Sequence, residues 1–428
     1  GGTCLNRGCI PTKALLHTAG LMDELRQGAP MGVRAEGITL DLDALHAHKR
    51  EVVDRLRAGV EDLLRANGVD LLRGRGTVQA PGRVTVDGTA YEADRILIAT
   101  GSQPALPDIP GLTLPGVMTS DDLLADGSGV PNRLCIVGGG VIGVEFATAC
   151  AGLGSQVTVV EFQDRILPML DREISQSLAM SLKKRGVTVH TAAALEGVEQ
   201  GDGGLICTVQ IKGKPVKIPA DGVLVATGRR ACTEGLLAPG LDLCLDRGRI
   251  PVDEKFATRI PGIYAVGDVI RGSVQLAHAA SAQGVNAVSM MFGKAPPHNL
   301  EAIPSCVYTQ PEIACVGLTA DEAKARGIPA KTGKYLMTGN GKTMLVGAGR
   351  GFVKLVFHSE TDVLLGAQLY CQRATDLVGG LATAMACGLT RQELHKTVFP
   401  HPTFSEGIGE AVEEAGDGSI HTMPRRRT

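Results

Sequence analysis

Cys4 and Cys9, in the opening stretch GGTCLNRGCIPTK, are the residues with the most obvious chemistry. Five positions apart at the entrance to a predicted helix, they suit a reversible disulfide, because a helix N-terminus stabilises the thiolate that performs exchange. Two ordinary thiols of a reducing compartment fit the same spacing, so spacing alone leaves both readings open. A zinc pair fits less well, since no second Cys/His pair stands at finger spacing, and no metal is expected. A second constellation is Gly138-Gly139-Gly140-Val141-Ile142-Gly143, which follows the apolar run LCIVGG (134–139). A glycine turn between strand and helix cradles a diphosphate on backbone N–H groups. Glu161 ends the next strand, close to the ~20-residue offset of an acid that takes the adenosine ribose. A carboxylate there favours the free 2′-hydroxyl of NAD and repels the 2′-phosphate of NADP. The third is His401-Pro-Thr-Phe-Ser-Glu406, where the carboxylate can fix the imidazole tautomer of a general base. A structural pair has the same spacing. His17, His46, His48, His190, His298, His358, His395 and His421 read as surface or core residues.

These residues need elements to hold them. Residues 1–20 read as a glycine-rich loop entering a helix, with Pro11 near its first turn. Leu42, Leu45, Val52, Leu56, Val60, Leu63 and Leu64 mark a long amphipathic helix stopped by Gly68. Short strand-like runs fill 69–94, ILIATG (96–101) is a buried strand, and the Pro/Gly stretch 104–116 reads as a linker. An αβ rhythm follows: strand 134–139, a helix from about Val141, strand 156–161, a helix near 171–185 and strand 187–190. GVLVATG (222–228) echoes ILIATG, which hints at two related nucleotide-binding domains. After GIYAVGD (262–268) an Ala-rich helix runs from about Leu276 to Met291, and 299–428 mixes strands with helices. Arg425–Arg427 reads as a solvated basic end.

Composition narrows the class. The 428 residues are 44% apolar and carry 43 Lys+Arg against 45 Asp+Glu, so no basic field is present to hold nucleic acid or an acidic membrane. At ~100–200 residues per domain, two to four domains are expected. With 56 Gly, no Trp and 3% aromatics, an aromatic-lined groove is disfavoured and close backbone approach to phosphates favoured. No apolar run reaches the length of a membrane span. Eleven scattered cysteines argue against a secreted disulfide scaffold and for a cytoplasmic setting.

Seven stretches in order, GGTCLNRGCIPTK, GGGVIGVEF, ATGRR, GIYAVGD, VQLAHAA, VYTQPEIACVGLT and HPTFSE, resemble the disulfide-dependent flavoprotein reductases. The resemblance covers the whole chain and is greatest to the dihydrolipoamide dehydrogenase branch, on Leu5, Ile10, Thr12 and Glu161. Glutathione reductases usually lack the acid on the NAD strand. Mercuric reductases carry a C-terminal cysteine pair, whereas the last cysteine here is Cys387.

The resemblance implies an α/β fold of two doubly wound nucleotide-binding domains, one for FAD and one for NAD, plus a C-terminal α+β dimerisation domain. The expected division is 1–117 (first part of the FAD domain), 118–243 (NAD), 244–298 (second part of the FAD domain) and 299–428 (dimer interface). Cys4 is implied as the interchange thiol and Cys9 as the thiol touching flavin, with Lys13 by the flavin and paired to Glu145. Gly76, Thr100, Gly101, Ser102, Gly267, Asp268 and the helix start Gln275, Leu276, Ala277 and His278 are implied FAD contacts. Gly138–Gly143, Glu145, Glu161 and Gly228 are implied on the NAD side. His401 and Glu406 are implied to serve the partner subunit's active site, which makes a homodimer part of the catalyst. The implied reaction converts dihydrolipoamide and NAD+ to lipoamide and NADH, as the E3 component of a 2-oxo acid dehydrogenase or glycine cleavage complex, with a lipoyl domain presenting the substrate.

One departure stands out. Family members begin with a strand, glycine turn, helix and acid for the ADP half of FAD, and none of these precedes Gly1. A βαβ unit of ~30 or more residues is therefore expected to be missing, as in a fragment. Two alternatives stay open: a reductase of another small disulfide, and a flavin-less NAD-binding remnant.

Overall fold

A computed structural model describes residues 2–423; the basic run Arg425–Arg427 lies outside them. The most regular part is a five-stranded parallel sheet in the order Val117–Met118, Gly222–Val225, Arg133–Val137, Gln156–Val160, Thr188–His190. Its strands read as apolar runs because both faces are covered. On one face Leu134, Ile136, Val159 and Leu224 pack with Val144, Phe146, Ile174 and Leu178 of the helices Val141–Leu153 and Arg172–Lys184. On the other, Cys135, Val137 and Val225 meet Leu195, Cys207 and Val209 of an antiparallel meander, Ala193–Gly201, Gly204–Ile211 and Lys214–Ala220.

The block flanking it in sequence is less regular. Ile96–Ile98 and Ile263–Ala265 form a two-stranded parallel pair, and Gly76–Ala80, Arg83–Val86 and Thr89–Glu92 form a separate antiparallel meander. Val78, Ile98, Leu243, Ile250, Ile263 and Val269 make its core. The long helix is Leu42–Ala66, opened by Asp41, whose carboxylate accepts from Ala44 N at 2.9 Å, and closed before Gly68 at φ 66°. The third block is a five-stranded antiparallel sheet, in the order Ser305–Val307, Glu312–Gly317, Leu364–Cys371, Phe352–His358, Ala330–Leu336. The helices Ala374–Ala386 and Glu406–Glu414 pack on it through Val378, Leu381, Ile408 and Val412. These three blocks give the expected class: α/β, nucleotide-binding-like domains with a distinct C-terminal α+β domain.

The start of the chain differs from expectation. Gly2–Arg7 is already a helix rather than a loop, and a second helix, Cys9–Gln27, follows after a break at Gly8. Glycine content suggested a loop, but only Gly8 leaves helical geometry between them, at φ −141° and ψ −113°.

Candidate active site

The break at Gly8 brings the two cysteines together. A Cβ on Gly8 would stand 2.9 Å from the Thr3 carbonyl oxygen, so glycine is what allows this close fold-back. Cys4 and Cys9 are joined as a disulfide, with Cα atoms 4.6 Å apart, which resolves the two readings of their spacing. Nine other cysteines are free thiols. Thr12 N and Oγ1 both donate to the Gly8 carbonyl and fix the second helix's first turn.

Lys13 lies four residues after Cys9, on the same helix face. Its Nζ donates to both oxygens of Glu145 at 2.9 and 2.8 Å and sits 4.5 Å from the Tyr308 ring centroid. Glu145 is buried in the helix Val141–Leu153 and also accepts from Tyr308 N at 2.9 Å. A buried carboxylate is costly unless paired and hydrogen-bonded; this one is both. Burial pushes the neighbouring Cys306 thiol up to about 11, so it is a poor nucleophile at neutral pH.

The glycine turn is built for close approach. A Cβ on Gly143 would fall 1.9 Å from the Gly138 carbonyl oxygen, and Gly138 itself has φ 111°. Gly140, the residue before the helix, faces open space, as does Gly228 at the end of the strand 222–225 segment. Glu161 is buried and holds the turn: Gly139 N donates to Oε2 at 2.5 Å and Gln163 N to Oε1 at 2.6 Å. Val141 and Ile142 open the helix, whose first N–H groups have no partner within it.

Most of the implied flavin contacts converge. Ser102 Oγ donates to Asp268 Oδ2 at 2.6 Å, and Arg229 donates to Ser102 from Nε (to Oγ, 2.8 Å) and Nη2 (to the carbonyl, 2.7 Å). Thr100 and Gly101 both bond to the Cys232 backbone, and Gly267 N donates to Gln283 Oε1 at 2.7 Å. Leu276 precedes the helix Ala277–Met291, and His278 Nε2 donates to the Pro304 carbonyl at 2.7 Å. Gly76 opens an antiparallel strand opposite Val86, and no hydrogen bond among the described residues ties it to this group. Gln275 Nε2 is buried without a partner. An orphaned donor beside a helix start fits a polar ring edge, so the residues present fit a flavin nucleotide.

His401 and Glu406 pair as the motif suggested, Nδ1 to Oε1 at 2.7 Å, while Thr403 N donates to Oε2 at 2.8 Å. Burial pushes the Glu406 carboxyl up, but the His401 and Thr403 hydrogen bonds outweigh it and hold the group below the ordinary range. Within one chain the pair stands on the C-terminal block, and no hydrogen bond or ion pair among the described residues joins it to the disulfide. Residues the spacing argument missed are Tyr308 and Arg229; each lies inside a quoted motif, VYTQPE and ATGRR, that names the family without revealing the contact.

A disulfide at the start of one helix, fastened through Lys13 and Glu145 to the helix of a glycine turn, fits a nucleotide-linked disulfide reductase. The chain belongs to the pyridine nucleotide-disulphide oxidoreductase family: the model of that name matches residues 1–284 and the model of its dimerisation domain 303–412. It is dihydrolipoyl dehydrogenase-like. A dihydrolipoyl dehydrogenase of Bacillus subtilis (strain 168) is 38% identical, over 98% of this chain and 92% of the relative. LpdA from Mycobacterium tuberculosis superposes with a TM-score of 0.87 at 29% identity, over 96% of this chain and 91% of the other. The HOCl-induced flavoprotein disulfide reductase RclA from Escherichia coli gives 0.83 at 28%, over 96% and 91%. Among the described residues no helix is long and apolar enough to cross a membrane, and no cluster of His, Cys, Asp or Glu is arranged to hold a metal ion.

Proposed function

We propose that the chain is an NAD-linked dihydrolipoamide dehydrogenase, working as a homodimer in which His401 and Glu406 serve the partner's disulfide. The observation that carries this reading is the Lys13–Glu145 pair, which fixes the disulfide helix to the dinucleotide helix. The four-part division at 1–117, 118–243, 244–298 and 299–428 belongs to the same proposal. So do a cytosolic setting, supported by the nine free thiols, and service to a 2-oxo acid dehydrogenase or glycine cleavage complex through a lipoyl domain.

The chemistry follows from the residues. A dihydrolipoamide thiolate attacks Cys4, breaks the Cys4–Cys9 bond and leaves Cys9 as a thiolate. The second substrate thiolate then displaces Cys4 from the mixed disulfide and closes lipoamide. With Nδ1–H donated to Glu406, His401 leaves Nε2 free to take the thiol proton, and Glu406 stabilises the imidazolium that results. Bound flavin supplies the two-electron chemistry that links thiol to nicotinamide. Lys13 and Asp268 would orient it, with Thr100–Ser102, Gly267 and the 275–278 helix start around it; the part of Gly76 is an expectation of the family resemblance. Gly138–Gly143 would hold the NAD diphosphate, Glu161 the ribose, and Gly228 would leave room beside it.

The test is NAD+-dependent oxidation of dihydrolipoamide by the protein and its His401→Gln variant. The variant should turn over lipoamide ~10²-fold more slowly while NADH-to-dye transfer, which needs no thiol proton, persists. Equal loss of both activities would make His401 structural. Faster turnover of another small disulfide with NADPH would replace the substrate and cofactor assigned here.

A further inference from the structure

The helix Glu406–Glu414 carries a second histidine–carboxylate pair one turn after the first. His421 Nδ1 stands 2.7 Å from Glu410 Oε1, as His401 Nδ1 does from Glu406 Oε1. The pairs match in burial also: the carboxylates are mostly covered (15% and 24% exposed) and the imidazoles mostly open (67% and 76%). The chain places His421 through a turn in which Ser419 Oγ donates to Glu410 Oε2, Ser419 N donates to Glu414 Oε1 at 3.0 Å, and His421 N donates to Ser419 Oγ at 3.1 Å. His421 is a surface histidine, as the sequence reading has it, and in addition pairs with a carboxylate. Eleven residues separate it from Glu410, which is no recognisable spacing.

Glu406 and Glu410 stand at i and i+4, where Cβ atoms are ~5–6 Å apart. Both line one groove of about 200 Å³, with Phe399, Gly409, His395 and Glu413. Two bare carboxylates so placed would repel each other and would both act on His401. We propose that His421 is a positioning residue for the catalytic pair: it holds and offsets Glu410, so that His401 answers to Glu406 alone. The inference rests on the reading of His401 as the base.

The surrounding charges agree. His421 is raised above the ordinary imidazole range first by its hydrogen bond to Glu410, then by the charges of Glu410, Glu413 and Glu406, with burial a small opposing effect. The charge of His421 in turn helps hold Glu406 down. From the helix Arg391–His395, His395 faces Glu413 at 4.0 Å, while Arg391 turns to Asp362. From the sheet, the Tyr335 phenol is pushed up by burial and then by Glu410 and Glu406. Lys331, Lys334 and Lys354 of the same sheet are engaged by Asp362, Glu173 and Asp171. Among the described residues, His421 is therefore the cation that answers Glu410.

The experiment is the pH profile of lipoamide kcat/KM in the full chain. His421→Gln should bare Glu410, stabilise the His401 imidazolium and move the acid limb up by about half a pH unit, or ~3-fold slower turnover on that limb. The shift should shrink at high salt. The double variant and His421→Lys should keep the wild-type limb, because neither leaves an unbalanced charge, whereas Glu410→Gln leaves the His421 imidazole without its anion and should hold the limb or move it down, never up. An unmoved limb in His421→Gln, or the same shift in the double variant, overturns the proposal. If His421→Gln does not fold, His421→Lys and Glu410→Gln decide it, and a half-unit upward displacement in either overturns it. NMR titration of the His401 ring reads the same shift without substrate. Wild-type protein inactive on dihydrolipoamide counts against the reaction; an unmoved ring titration counts against the role of His421.

Discussion

The two nucleotide-binding regions reach the same end by different constructions. On the dinucleotide side, one glycine turn and one acid, all within residues 138–161, sit on a five-stranded parallel sheet. On the flavin side the proposed contacts come from positions 13, 100–102, 267–268 and 275–278, around a two-stranded parallel pair. The first is a local device whose parts fail together. The second is a dispersed network in which each member contributes a fraction. Single substitutions should therefore hurt the first far more than the second.

The largest effect is expected from Gly143→Val. Its side chain would meet the Gly138 carbonyl, where even a Cβ is only 1.9 Å away. Overpacking of this kind costs ~1–3 kcal/mol or more, and NADH affinity by titration should fall at least ~100-fold while bound flavin is retained. Loss of both cofactors together would break the contrast. Ser102→Ala is the matching test on the other side. Removing two hydrogen bonds, the one to Asp268 and the one from Arg229 Nε, together worth about 1–3 kcal/mol, should weaken FAD retention by ~10-fold, read as flavin released on dilution. A loss as steep as that at Gly143 would mean the network is not dispersed.

Glu161→Gln sits at a smaller scale. Its hydrogen bonds to Gly139 and Gln163 survive through one amide oxygen at most, and the repulsion of a 2′-phosphate is gone. The preference of kcat/KM for NAD over NADP should narrow by ~5–10-fold; an unchanged ratio would leave specificity to other residues.

The smallest effect concerns how the dinucleotide block docks on the C-terminal sheet. Glu173 is raised by burial, but Lys334 and Lys354 outweigh that and leave it below the ordinary range. A depressed carboxyl stabilises the fold fully above the unfolded value, ~4.3, and the contribution is lost as pH falls through the lower folded value. A small drop in Tm is thus expected on acidification through that window, and Glu173→Gln should remove it. An identical pH dependence in the variant would assign the drop to other carboxylates.

What the sequence made legible tracks this same contrast. Periodicity and turn residues deliver the helix Leu42–Ala66, four of the five strands of the dinucleotide sheet and the turn at 138–143, because each is set by neighbours in the chain; the two-residue edge strand Val117–Met118 is too short to show a period. The disulfide was half legible: spacing allowed it, and the Gly8 break made it. The Ser102–Asp268 bond spans 166 positions, and the latch of Arg185 onto Asp23 and Gln310 spans 162 and 125. No spacing rule reaches across such distances; the family resemblance assigns Ser102 and Asp268 to one flavin site without pairing them. The helix Gly2–Arg7 was misread because glycine content argues for a loop, whereas packing against the second helix decides the matter locally.

Glu145 has a consequence for anyone who would exchange parts between relatives. Its one carboxylate is bound by Lys13 from the first block and by the Tyr308 backbone from the third, yet it belongs to the dinucleotide helix. A transplanted dinucleotide block therefore brings with it a connector that must fit two recipients at once. One residue of slippage along that helix turns the carboxylate by ~100°, away from both. Chimeras that keep Glu145, Lys13 and the strand Ser305–Val307 with Tyr308 in their original registration should assemble, whereas cuts that treat the block as a free-standing cassette should yield proteins whose disulfide and dinucleotide no longer communicate.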